Sequence, residues 1–149
     1  ALVERHRGTG QITNGFVSGF GYKEKCAVAS TVAHDSHHMI IVGTDQENMA
    51  LAGNHLASIG GGVTVFKDGV ELATVSLNIA GLMSDAPAQN VAKAADNMVE
   101  VMQICGCKIN NGYMQHSLLA LVVIPELRIS DLGLIDVKKF EITELLDKA

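Results

Sequence analysis

Hydrophobic and polar positions change rhythm several times along this chain. Met49, Ala52, Leu56 and Ile59 recur at helical spacing behind Thr44 and Glu47, which stand three apart as in a capping box. This predicts a helix from about Asp45 to Ile59, with Thr44 as N-cap and Gly60 closing it. Val91, Ala94, Ala95, Met98, Val99, Met102 and Cys105 line one face of a second, longer helix that ends at Gly106. Ser84-Asp85-Ala86-Pro87 reads as its start, with Asp85 as N-cap and Pro87 in the first turn.

The remaining apolar positions come in short runs. Glycines at 8, 10, 15, 19 and 21 separate β-prone pieces such as Ile12-Thr13 and Phe16-Val17. Cys26 to Ala33 and Met39 to Val42 predict further strands, and Val63–Phe66 and Val70–Val75 flank Lys67-Asp68-Gly69, a hairpin signal. Leu118 to Ile124, halted by Pro125, leans towards strand through its Val-Val-Ile end. A polar connection and a short segment around Phe140 follow. The order of strands, helix, hairpin, helix and strand implies a single α/β domain with a mixed sheet and at least two packing helices.

Composition narrows the classes. Of 149 residues, 48% are hydrophobic and 18% charged, which excludes intrinsic disorder. The longest uninterrupted aliphatic run is seven residues, too short for a membrane span, which needs roughly 20. With 16 acidic and 11 basic residues the net charge is −5, and the scattered lysines and arginines form no basic stripe for nucleic acid. Three cysteines cannot build a disulfide framework, and so odd and low a count suits a reducing cytoplasm. The chain opens without Met on residues that read as the middle of a strand. The expectation is a piece of a longer polypeptide whose apolar surface packs against something else.

Candidate chemistry concentrates in His34-Asp35-Ser36-His37-His38. Three imidazoles and a carboxylate within five residues can coordinate a metal or move protons. No second ligand set with zinc-like spacing accompanies them. An extended backbone would put His34, Ser36 and His38 on one face, whereas a tight turn would bring His34 and His37 together. As the connection between two apolar strands, the segment is expected on an exposed rim. A polar turn in which Asp35 or Ser36 caps backbone amides is the alternative. Other motifs read as structural. Cys105-Gly106-Cys107 sits at a helix end, and Gly60-Gly61-Gly62 leaves a helix where a phosphate cradle would enter one. His116-Ser117 lacks the partners of a nucleophile, and His6 and His55 are surface or packing residues.

Several longer strings are specific. ERHRGTGQITNGFVSGFG (4–21), ASTVAHDSHHMIIVGT (29–44), IGGGVTVFKDG (59–69), IAGLMSDAP (79–87) and VIPELRISDLGLIDVKKFE (123–141) occur in this order. Together they resemble the C-terminal domain of adenine deaminases of the amidohydrolase superfamily. The resemblance implies hydrolysis of adenine to hypoxanthine and ammonia in purine salvage. It also implies a catalytic (β/α)8 barrel N-terminal to this domain, holding a binuclear Mn or Fe centre that activates water. No metal ligand of that barrel falls in this chain, which lacks the roughly 250 residues a barrel takes. The matching segment is Ala33 to His37, which would face the barrel mouth. His34, Asp35 and His37 would then serve in a near-site or supporting catalytic role, with Ser36 and His38 towards substrate. The sequence departs from the family at His38, where Asn is usual, and imidazole cannot offer the paired donor and acceptor of an amide. The partners implied are the barrel of the same polypeptide, adenine and a homo-oligomer, and the piece alone is expected to be inactive. A free-standing purine- or metal-binding module and a purely structural or oligomerisation domain are the other readings.

Overall fold

In a computed structural model describing residues 1–146, the alternation of apolar residues along three central strands builds a sheet packed on both faces. The strands are β1 (Leu2–Val3), β2 (Ile12–Thr13), β3 (Cys26–Ser30), β4 (Met39–Gly43), β5 (Gly62–Lys67) and β6 (Val70–Ser76), in the order β2-β1-β4-β3-β5-β6. Every pairing is antiparallel. The expected mixed sheet is therefore corrected: the crossover from β4 to β5 skips over β3 and sets those two like-directed strands on either side of it, so no two neighbouring strands are parallel.

Because side chains alternate across the pleat, one face carries Ala27, Ala29, Met39 and Ile41 against Ala52 and Leu56 of α1 (Gln46–Ile59). Small residues let this helix approach closely: a Cβ on Gly53 would lie 2.9 Å from Ile41 Cδ1. The other face carries Cys26, Val28, Val63 and Val65 against Met98, Val101 and Met102 of α2 (Ala88–Ile104). Beside α2, a short helix α3 (Gly112–Ser117) runs into a 3-10 turn at Leu118–Ala120. A second antiparallel sheet, β7 (Leu127–Ser130), β8 (Gly133–Asp136) and β9 (Glu141–Thr143), covers Leu2, Ile40 and Val42 through Ile129.

Several boundaries differ from expectation for local reasons. Asp45, not Thr44, caps α1, its carboxylate accepting from the Asn48 amide at 3.1 Å. The Thr44 hydroxyl is engaged elsewhere, accepting from the Cys26 amide and donating to the Glu24 carbonyl. Asp85 does not cap α2. Pro87 occupies that position without a side-chain bond, while Ser84 closes a turn on the Ala86 amide. Leu118 to Ile124 is no strand, because successive turn bonds from Leu121 to Leu118 and from Ile124 to Leu121 curl it. Phe16-Val17 lies in an exposed loop. The Asp68-Gly69 hairpin and the Gly60 cap form as expected, with φ of 50°, 80° and 86°. Among the described residues no helix is long and apolar enough to cross a membrane.

Candidate functional site

The chain leaves β3 at Ser30 and re-enters the sheet at Met39, so residues 31–38 form a connection at one end of the sheet. Thr31 fixes its root. Its hydroxyl donates to the Gly81 carbonyl at 2.7 Å and accepts from the Gly62 amide at 2.8 Å, which ties β3, β5 and the loop after β6 into one point. The glycines serve this close approach, since a Cβ on Gly61 would stand 2.5 Å from the Gly81 Cα. They cradle backbone, as their order in the sequence indicated.

Beyond Thr31 the chain makes a tight turn. The His37 amide donates to the Ala33 carbonyl at 2.7 Å, and His37 adopts a left-handed conformation, φ 52°. Of the two geometries open to the sequence the turn is realised, with the rings of His34 and His37 edge to face, centroids 5.4 Å apart. Asp35 and Ser36 are exposed, and His34 and His37 are half-buried. The His34 amide donates to the Ser117 carbonyl at 3.1 Å and anchors the turn to α3.

His38 is placed differently. It is buried, with Nδ1 3.9 Å from Glu4, Nε2 3.6 Å from Asp131 and its ring 4.7 Å from that of His6. The structure does not bring it to the surface that Asp35 and Ser36 occupy. Burial lowers its pKa, with His6 and Arg5 adding to the effect and the Asp131 and Glu4 carboxylates opposing it.

Residues outside the His-rich string hold the turn in place, and sequence reasoning missed them. The Arg5 guanidinium donates to the His37 carbonyl at 2.6 Å and to the Ala80 carbonyl at 2.9 Å. His6 Nε2 donates to the Ser36 carbonyl at 2.6 Å, so His6 belongs to the site and is no isolated surface residue. Behind them, Glu4 Oε1 accepts from the His6 and Arg7 amides, and Oε2 accepts from the Thr9 amide and hydroxyl. The Thr9 amide first, then the Arg7 amide, the Thr9 hydroxyl and the His6 amide, outweigh burial and hold this carboxyl down at about 2. The available signal was the strand character of residues 1–4, but the β1–β4 pairing that brings them to the turn is non-local.

This arrangement can hold a neutral imidazole in a defined orientation. His37 Nδ1 accepts from the Ala33 amide at 3.3 Å. Burial, reinforced by the charges of His34 and Arg5, lowers the His37 pKa. The neutral ring therefore carries its proton on Nε2, and among the described residues no hydrogen bond engages that nitrogen. Nor, among those residues, is any group of three or more His, Cys, Asp or Glu arranged to hold a metal ion. The three cysteines are buried free thiols: Cys105 caps α2, and Cys107 follows it into the core.

The family model described as the adenine deaminase C-terminal domain matches residues 1–141. An adenine deaminase of Paracoccus denitrificans is 73% identical over 146 residues, 98% of this chain and 24% of that protein. One from Ruegeria pomeroyi is 71% identical over 147 residues, 99% of this chain and 24% of that protein. One from Moorella thermoacetica is 49% identical over 146 residues, again 98% and 24%. The chain thus spans about 24% of the length of the curated relatives it matches.

Proposed function

Because this chain belongs to the adenine deaminase C-terminal domain family, we propose that it works as that domain of a metal-dependent adenine deaminase. The full-length enzyme converts adenine and water to hypoxanthine and ammonia, in the cytoplasm and as a homo-oligomer. The domain packs on the catalytic barrel and presents the turn at residues 34–37 to the mouth of the active site. The binuclear Mn or Fe centre is the barrel's. When bound it would supply a hydroxide nucleophile near neutral pH, and among the described residues of this chain no group of His, Cys, Asp or Glu fits it as a ligand set.

One observation carries the reading: His37 is held from both sides by bonds within the domain, while among the described residues its Nε2 proton has no partner. A donor fixed in this way is preorganised to meet a group on another surface. His34 closes one side of the turn by edge-to-face contact. Asp35 and Ser36 add an exposed carboxylate and hydroxyl beside it. His38 acts from behind, buried beside Glu4, His6 and Asp131. The turn's part is to shape and close the site and to orient the base by hydrogen bonding.

The test compares the full-length enzyme with the 149-residue chain alone, each supplied with Mn or Fe and adenine. Ammonia release by the full-length protein and none above a no-protein blank by the chain alone is the expected result. Turnover by the chain alone contradicts the division of labour.

A further inference from the structure

We propose that β1 does not start at Leu2 in the full-length protein: the polypeptide preceding Ala1 continues it as a strand along Val42–Gly43, seated in a slot already shaped to take it. The register dictates the path. β1 and β4 pair with Leu2 opposite Ile40 and Val3 opposite Met39. Ala1 therefore faces Ile41, and the two exchange both backbone hydrogen bonds at 2.8 Å. In an antiparallel ladder such exchanging pairs recur every second residue. The next falls between Gly43 and the second residue before Ala1. Alternation is visible on the other side of β4, where the Thr44 amide donates to the Cys26 carbonyl at 2.9 Å. Residues 40, 42 and 44 thus turn their backbone groups to β3, and 39, 41 and 43 turn theirs to β1. Gly43 presents an N–H and a C=O to an edge where β1 has run out.

Among the described residues that edge borders open space. A groove of about 1000 Å³ is lined by Ala1, by residues 14–17 and 40–46, and by the second sheet through Ile129 and Leu134, with residues 143–145 also bordering it. On the β2 side the paired residues are Leu2 with Thr13 and Val3 with Ile12, and the same register carried on would set Asn14 opposite Ala1 and Gly15 opposite the residue before it. Phe16 at its margin is 87% exposed and Val17 47% exposed. An edge with unpaired backbone groups and apolar margins is a site for strand addition. The occupant follows from the family: this is a C-terminal domain that spans about 24% of its relatives, so most of the polypeptide precedes it. A strand entering here attaches the two parts through a sheet and not through a flexible tether, which fixes the orientation of the 34–37 turn. The inference stands on register and groove, independently of whether that turn serves the active site.

Residue-resolved hydrogen exchange on the full-length protein tests it. The Gly43 amide is expected to exchange as slowly as that of Ile41, at least about 100-fold slower than in an unstructured peptide. The protection should not change on dilution. A Gly43 amide exchanging at the unstructured rate overturns the proposal, and so does protection that fades on dilution, which would mark a second copy in the slot. Substitution at Gly43 is unsuitable, since a Cβ there would lie 2.5 Å from Met49 Cγ. Register is tested by a cysteine immediately before Ala1 combined with Val42→Cys. Non-hydrogen-bonded partners lie about 4.5 Å apart at Cα, within disulfide range. That pair is expected to cross-link on mild oxidation, while a cysteine two residues further upstream does not. Cross-linking of the shifted pair in its place overturns the register.

Discussion

His116 and His37 stand on either side of one backbone hydrogen bond, from the His34 amide to the Ser117 carbonyl, yet they occupy opposite worlds. His116 is completely buried, bonded through Nε2 to the Tyr22 hydroxyl at 3.1 Å and packed edge-on against Phe20 at 4.4 Å. Among the described residues its Nδ1 has no partner, and burial pulls its pKa down to about 3. His37 is also kept neutral, by burial and by the nearby charges of His34 and Arg5, but its unused nitrogen is Nε2, on a half-buried residue at the end of the sheet. The core fixes its histidine by packing. The turn fixes its own through Arg5, Glu4 and His6, whose bonds go to backbone carbonyls and amides. Geometry held in this way can be altered one bond at a time without dissolving the fold.

Truncating the core should have the largest effect. Leu56→Ala or Met98→Ala removes a fully buried side chain and is expected to cost about 2–5 kcal/mol in denaturant unfolding. The NMR signals of the His34 and His37 rings should stay in place. Arg5→Ala frees the His37 and Ala80 carbonyls and is expected to cost less, about 1–3 kcal/mol, while shifting those ring signals. Stability unchanged and signals unmoved would mean that Arg5 does not hold the turn.

Acidification separates the two histidine environments further. The His116 pKa lies below its ordinary 6.5, so the unfolded chain binds the proton first. Its contribution is complete above pH 6.5 and declines as pH falls towards 3, a loss of about 1 kcal/mol between pH 7 and 5.5. A second acid limb comes from Glu4, whose contribution is present above its ordinary 4.5 and is lost as pH falls towards 2. His116→Gln should flatten the first limb and Glu4→Gln the second, as followed by unfolding midpoints across pH. Smallest of all is the exposed Arg7–Asp131 ion pair. Arg7→Ala is expected to change stability by about 0.2–1 kcal/mol, and by less at high salt.

The parts of the fold visible in the sequence were those set by short-range rules. The period of Met49, Ala52 and Leu56 placed α1, Asp68-Gly69 placed the hairpin, and the apolar runs around residue 34 placed the turn between two strands. Where two local partners compete, the choice depends on contacts outside the window. Thr44 looked like the cap of α1, but its hydroxyl serves the start of β3. Leu118 to Ile124 carried strand residues without a neighbouring edge to join. The β7–β9 sheet escaped because its strands are short and its alternation weak. The string 34–38 announced the candidate site, but its support from Glu4, Arg5, His6 and Asp131 comes through pairings some 30 to 90 residues apart in sequence.

The central claim is that the turn serves the active site through His37 and not through stability. His37→Ala in the full-length protein, assayed on adenine, tests it most directly, with kcat, KM and the unfolding midpoint measured on the same preparation. The account predicts that kcat/KM falls by at least about tenfold, while the midpoint moves by no more than a surface substitution would move it. An unchanged kcat/KM, or a loss of activity that tracks a loss of folded protein, would contradict it.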